Sequence, residues 1–535
     1  MSLLSIRDLT LGIGGAEVLK GVSLDLAAGE IVGLVGESGS GKSMTGLSVL
    51  CLLPPGAVVS GRIELDGQDL TSLSEPQMRA VRGAQVGMVF QEPMTALDPL
   101  MTIGDQVAET LRIHRGLGRA AAREAAAAAL ARAGLPPDRF PLSRYPHELS
   151  GGQRQRVAIA IATALKPKVL IADEPTTALD VTTQAQILEL LKGLAREDGC
   201  GLILITHDLA VVAETVDRVA IMRAGEIVEQ GPVAALGALT HPYAQRLAKD
   251  AVLAETAPAP APADGAPVVE ATDVLRTYAP RRSAPWRRAE PFRAVDGVSL
   301  AVRPGETVGL VGESGSGKST LLRAVLGLEA LQGGAVSLDG RPFSPPSRGD
   351  ARRLRRQVQA VFQDPYGSFD PRWRVADLVA EPLHLLDDPP TGAARRGRVA
   401  AVLEKVGLPA DAIDRYPHQF SGGQRQRIAI ARALITEPRL VVLDEAVSAL
   451  DVTVRAQILA LLADLSRELG VAYLFVTHDL GVVRAVCHRV LVMQAGRIVE
   501  EGETAQVFAS PRHPYTQTLL AATPDLRRAL AARGA

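Results

Sequence analysis

The chain has 535 residues, 47% hydrophobic and 22% charged, a size beyond one hydrophobic core and a balance ordinary for a soluble α/β protein. Its net charge of −1 supplies no overall basic field to draw it to nucleic acid. Its three scattered cysteines, Cys51, Cys200 and Cys487, argue against a disulfide framework and against a zinc or iron–sulfur site built by this chain alone, and they suit a reducing compartment.

The opening MSLLSIRDLT has no basic leader followed by an apolar stretch and does not read as a signal peptide. Ile31–Val35 is the first aliphatic run without polar alternation, the pattern of a strand buried on both faces of a parallel sheet. It leads into GESGSGKS: Gly36, Glu37, Ser38, Gly39, Ser40, Gly41, Lys42 and Ser43. Glycines at this spacing let the backbone wrap a polyphosphate and turn N–H groups toward it, with the N-terminus of the next helix adding positive potential. Lys42 would reach the outer phosphates of ATP and Ser43 would place a hydroxyl on Mg²⁺. The uncharged run Ser43–Gly61 holds Pro54 and Pro55 and reads as a helix and a turn, not a membrane span, so any pore would come from other chains. Arg119–Gly134, almost all Ala, Arg, Leu and Glu, predicts a surface helix with no chemistry.

LSGGQRQR follows at Leu149–Arg156. Its Ser150, Gly151, Gly152 and Gln153 read as a second helix N-terminus aimed at phosphate, and one nucleotide site does not need two. The economical reading is that it reaches ATP held by another unit. Val169–Ala172 is the next strand-like run, and the acidic pair Asp173–Glu174 stands at its end, Asp173 for Mg²⁺ and Glu174 to orient and deprotonate water. Leu202–Thr206 is a third such run, ending at His207. The stretch Ala251–Pro267 is Ala/Pro-rich, without apolar periodicity, and reads as a semi-stiff linker between a unit at 1–250 and another at 268–535.

The second unit repeats the series in the same order. After Thr307–Val311 come Gly312, Glu313, Ser314, Gly315, Ser316, Gly317, Lys318 and Ser319. FSGGQRQR supplies Ser421, Gly422, Gly423 and Gln424, Leu440–Leu443 leads to Asp444–Glu445, and Val471–Val476 precedes His478. A repeat of this length is a domain duplication. The basic stretch Arg281–Arg288 reads as a solvated loop.

SGGQ between a phosphate loop and an Asp-Glu strand resembles the ABC-type ATPase family, twice, over nearly the whole chain. The resemblance implies an α/β fold of two tandem ABC-type ATPase domains, each a RecA-like core with an antiparallel β subdomain and a helical subdomain. It also implies a head-to-tail sandwich, Lys42, Asp173 and Glu174 facing Ser421–Gln424, and Lys318, Asp444 and Glu445 facing Ser150–Gln153. Gln91 and Gln363 match the glutamine that senses Mg²⁺ and water, Asp180 and Asp451 the loop that couples the sites, and His207 and His478 the histidine that contacts the γ-phosphate. Tyr278 matches the residue that stacks on adenine, whereas Ile13 holds that place in the first unit. Ala446 replaces Pro175 with no expected chemical consequence. Both sites look complete, so hydrolysis is expected at both.

The segments from Gln91 and Gln363, with HPYAQRL (His241–Leu247) and HPYTQTL (His513–Leu519), resemble the ATPases of the oligopeptide/dipeptide/nickel importer group in a fused two-domain form. That implies ATP and Mg²⁺ as cofactors, two transmembrane permease subunits and an extracytoplasmic solute-binding protein as partners, no nucleic acid, and a peripheral place on the cytoplasmic face of the inner membrane. The competing reading is a soluble twin-domain ATPase acting on ribosomes or nucleic acid. A short Pro-rich linker, in place of a long charged helix, weighs against it.

Overall fold

The computed structural model describes residues 2–177, 179–252, 265–278, 291–342, 348–365, 367–448 and 450–532. The basic stretch Arg281–Arg288 and most of the Ala/Pro-rich segment lie outside them. Each unit pairs a four-stranded antiparallel sheet with a six-stranded, mainly parallel one. In the first unit the large sheet runs Glu226–Pro232, Arg218–Arg223, Ile31–Val35, Gly201–Thr206, Val169–Asp173, Val86–Val89, with only the first of these antiparallel to its neighbour. The second unit gives the same order with Val358–Val361, Leu440–Asp444, Ala472–Thr477, Thr307–Val311, Arg489–Gln494 and Arg497–Glu503, read from the other edge. The aliphatic runs are these central strands. Every residue of Ile31–Val35 and Thr307–Val311 is buried, as strands covered by helices on both faces must be.

This topology sets the polar motifs at the carboxyl ends of the parallel strands, where ligands of open α/β sheets collect. Ile31–Val35 feeds the first phosphate loop and the helix Lys42–Val49; Val169–Asp173 ends on the acidic pair; Gly201–Thr206 ends at His207. Two expectations need correction. The run Ser43–Gly61 is a helix and turn only to residue 57, because Val58 opens the strand Val58–Leu65. The alanine-rich helix, Arg119–Arg132, is not a bare surface helix. Ala122, Ala126 and Leu130, four apart and fully buried, form a stripe against the helix Ile103–Arg115. Small side chains hide such a stripe in a sequence while still permitting close helix approach.

The units touch through their C-terminal helices. Pro242–Ala251 packs on Val452–Leu469, and Pro514–Ala522 packs on Val181–Asp198. The chain end then crosses over. Leu526–Ala532 lies on Leu209–Thr215 of the first unit, with Leu526 and Ala529 buried in the same apolar cluster as Leu236, Tyr243 and Leu247. The Asp525 N–H and the Arg528 guanidinium both donate to Glu214 Oε1 at 3.1 Å. Among the described residues, no helix is long and apolar enough to cross a membrane.

Candidate functional site

The two phosphate loops share one geometry. Gly36 and Gly312 pass so close to the next strand that a Cβ would stand 2.2 Å from the Met222 and Met493 carbonyl oxygens, so no other residue fits. Lys42 and Lys318 are buried, and burial lowers both ammonium pKa values. Each folds back on its own loop: Lys42 Nζ donates to Gly36 O at 2.7 Å and Glu37 O at 2.8 Å, and Lys318 Nζ to Gly312 O at 2.6 Å and Glu313 O at 2.8 Å. Ser43 Oγ donates to Asp173 Oδ1 at 3.0 Å, joining the hydroxyl and carboxylate expected to share a cation. Burial, with Glu174 beside it, raises Asp173 to about 6.

The structure brings Gln91, Glu174 and His207 together. Gln91 Nε2 donates to Glu174 Oε2 at 3.0 Å, and His207 Nδ1 is 3.4 Å from Oε1 of the same carboxylate. In the second unit, Gln363 Nε2 donates to Glu445 Oε2 at 2.7 Å and His478 Nδ1 is 3.1 Å from Glu445 Oε1. Burial pushes the Glu174 carboxyl up, but His207, Thr177 and Lys42 outweigh it and hold it at about 2. Glu445 is lowered against its own burial by His478 and Lys318. Both glutamates hold left-handed backbone, φ 45° and 47°, uncommon outside glycine and frequent where side-chain direction matters more than comfort. The shared φ shows that Ala446 for Pro175 leaves this turn unchanged.

Ser150 and Ser421 cap the helices Gly151–Thr163 and Gly422–Leu434, each Oγ accepting the N–H of Gln153 or Gln424, whose own Oε1 accepts the serine N–H. Both serines are exposed. Among the described residues no hydrogen bond joins either SGGQ segment to the opposite phosphate loop. What meets that loop is the turn at Asp180. Thr182 Oγ1 is 2.8 Å from Asp180 Oδ1 and 2.8 Å from Glu313 Oε1 of the other unit. Burial pushes Asp180 up, but Thr183, Thr182 and the Ser314 N–H across the interface hold it down. The reciprocal approach places Asp451 within electrostatic reach of Lys42. His207 and His478 line one cavity of about 150 Å³ between the units.

Tyr278 ends the strand Val269–Tyr278 as Ile13 ends Leu4–Ile13, so the two occupy equivalent places. The Tyr278 hydroxyl donates to Glu329 at 2.7 Å and Arg276 lies over its ring, 4.7 Å from the centroid. Three participants escaped the sequence reading. Thr177 donates to Glu174 Oε2 at 2.9 Å, Thr182 crosses the interface, and Arg246 pairs with Glu37 at 3.3 Å. A hydroxyl three residues after the glutamate was a readable signal for the first, whereas the other two depend on contacts far apart in the chain.

The family described as "ABC transporter" matches residues 19–177 and 295–448, and "Oligopeptide/dipeptide transporter, C-terminal region" matches 499–534. The chain is 48% identical to the peptidoglycan transport ATP-binding protein YejF of Agrobacterium fabrum, over 97% of this chain and 96% of that one. It is 46% identical to the glutathione import ATP-binding protein GsiA of Salmonella typhimurium, over 95% and 86%. Among solved structures, the dimeric MJ0796, a bacterial ABC transporter cassette, is 30% identical over 44% of this chain and 98% of that chain, with a TM-score of 0.40.

Proposed function

Since the chain belongs to the ABC transporter family, as a fused two-domain ATP-binding protein of the oligopeptide/dipeptide importer type, we propose that it hydrolyses ATP at two composite sites to drive import of peptides or glutathione-like solutes through separate permease subunits. The observation that carries this reading is the duplicated cluster in which one half-buried glutamate joins a glutamine and a histidine beside a phosphate-loop lysine.

Gly36–Ser43 and Gly312–Ser319 cradle the phosphates. Lys42 and Lys318 exchange their carbonyl partners for phosphate oxygens, so substrate restores bonds that the buried ammonium already requires. Ser43, Asp173 and Gln91, with Ser319, Asp444 and Gln363, suit Mg²⁺, a cation that takes few carboxylates and leaves room for water and phosphate oxygens. Bound there, Mg²⁺ would offset the negative charge of the phosphates. Glu174 and Glu445 orient the attacking water, and His207 and His478 fix those carboxylates and face the γ-phosphate. The glutamine and histidine hold each carboxylate in one orientation, so that it places the water and accepts its proton as the new O–P bond forms. Ser150–Gln153 and Ser421–Gln424, whose leading serines are exposed, close onto the nucleotide of the other unit. Hydrolysis breaks the bridge, and the reopening drives the permeases.

Purification of the tagged chain from native membranes, followed by mass spectrometry, tests the role. Two multi-span subunits and ATP-dependent uptake of a labelled peptide or glutathione by vesicles holding the complex are expected. Recovery of ribosomal or DNA-repair factors without permeases overturns transport and leaves the ATPase standing.

A further inference from the structure

The HPY segments near the end of each unit have a local construction that the ATP chemistry above does not use. Pro242 and Pro514 open their helices, and His241 and His513 cap them, each Nδ1 accepting the tyrosine N–H at 3.2 Å. A carboxylate fixes each start from outside. Glu229 accepts the N–H groups of Thr240 and His241, at 2.8 and 3.1 Å, and Glu500 those of Arg512 and His513, at 2.7 and 3.0 Å. So many restraints on one turn leave the tyrosine little freedom, and both rings are buried, Tyr243 4% and Tyr515 8% exposed.

Each hydroxyl then meets a phosphate loop more than 200 residues away. Tyr243 Oη accepts the N–H of Glu37 at 3.2 Å, and Tyr515 Oη accepts the N–H of Glu313 at 2.8 Å. The second residue of each GESGSGKS is thereby held by the protein, its N–H on the tyrosine and its carbonyl on the N–H of Ser40 or Ser316. Burial raises both phenols, Tyr515 to about 12, so the hydroxyls stay protonated and neutral beside the loop. The helices carrying them are also the ones packed on Val452–Leu469 and Val181–Asp198 of the opposite unit, which start at Asp451 and Asp180.

We propose that Tyr243 and Tyr515 are positioning residues for ATP hydrolysis, each holding the start of its own phosphate loop from a helix seated on the other unit. Movement between the units is thus felt at the loop through one side chain. The inference rests on the ATPase reading above.

The test compares the full-length chain with Tyr243→Phe, Tyr515→Phe and the double variant, which remove only the hydroxyls. Tyr473→Phe serves as an isosteric control, because the Tyr473 hydroxyl is buried and has no hydrogen-bond partner among the described residues. Steady-state ATPase and amide hydrogen exchange are read together. The expected result is a fall in kcat/KM of about 5- to 30-fold per tyrosine. Faster exchange is expected at the Glu37 or Glu313 amide, with exchange elsewhere in the unit and the melting temperature unchanged, and Tyr473→Phe should match the parent. Activity within twofold of the parent with unchanged exchange at both amides overturns the inference. So does a loss accompanied by faster exchange across the whole unit, which marks a fold effect. A parent chain without ATPase activity refutes the ATPase reading separately, and the two amides still report on the tyrosines.

Discussion

Replacing Thr182 by Val, Glu313 by Gln, and both together measures how strongly one unit grips the other's phosphate loop. Thr182 Oγ1 lies 2.8 Å from Glu313 across the interface and 2.8 Å from Asp180 within its own unit. A hydrogen bond to a charged group contributes about 1.5–3 kcal/mol. One hydroxyl proton serves two carboxylates here, so the share coupling Thr182 to Glu313 is about 1 kcal/mol. The mirror pair is arranged differently: the Thr453 hydroxyl is buried with no partner among the described residues, and Glu37 turns to Arg246 at 3.3 Å in its own unit. Arg246 has Thr518 as its counterpart, so the second unit has no such cation at this place. The coupling energy from kcat/KM for ATP in the double-mutant cycle should therefore be about 1 kcal/mol for Thr182 with Glu313 and below about 0.3 kcal/mol for Thr453 with Glu37. Equal couplings in the two cycles, or none in the first, would refute the reasoning.

Glu174→Gln and Glu445→Gln should each reduce ATP turnover by more than half, because contact between each phosphate loop and the opposite unit makes the sites interdependent. The double variant should lose about 100-fold or more and accumulate an ATP-bound closed form, visible by trapping of labelled nucleotide; turnover near that of the parent would remove both glutamates from the reaction. Chains disabled at one site each should bind ATP more weakly at the first unit, where Ile13 stands in place of Tyr278, by the several-fold that about 1 kcal/mol of stacking represents. Equal dissociation constants would count against that. Gly36→Ala should abolish binding at the first loop, since its Cβ would press on the Met222 carbonyl at 2.2 Å, and the melting temperature should fall with it; an unaffected variant would show that the loop can shift.

The strands and loops that carry chemistry were legible because buried parallel strands read as unbroken aliphatic runs and phosphate cradles need glycine at set spacings. Ile31–Val35 and Thr307–Val311 match the observed strands residue for residue. Glu174 is legible from its place at a strand end, Gln91 and His207 only through family resemblance, and the structure shows the latter two on the Glu174 carboxylate. What stayed hidden depends on distance in the chain. Tyr243 reaches Glu37, and Thr182 reaches Glu313, only because helices far along the chain return to the loops. The stripe Ala122, Ala126, Leu130 was hidden for another reason, since alanine carries almost no hydrophobic contrast.

The crossover of Leu526–Ala532 makes the order of the halves directional. Among the described residues the second half carries this seven-residue key and the first half the lock, with Glu214 at its rim where the second half has Ala485. In a chain cut within 253–264, the halves would not be interchangeable: a first half has no LRRALAA segment to offer another first half. Fusion supplies proximity, whereas this terminal segment supplies identity. It favours the mixed pair over either like pair even where the two halves are made as separate polypeptides.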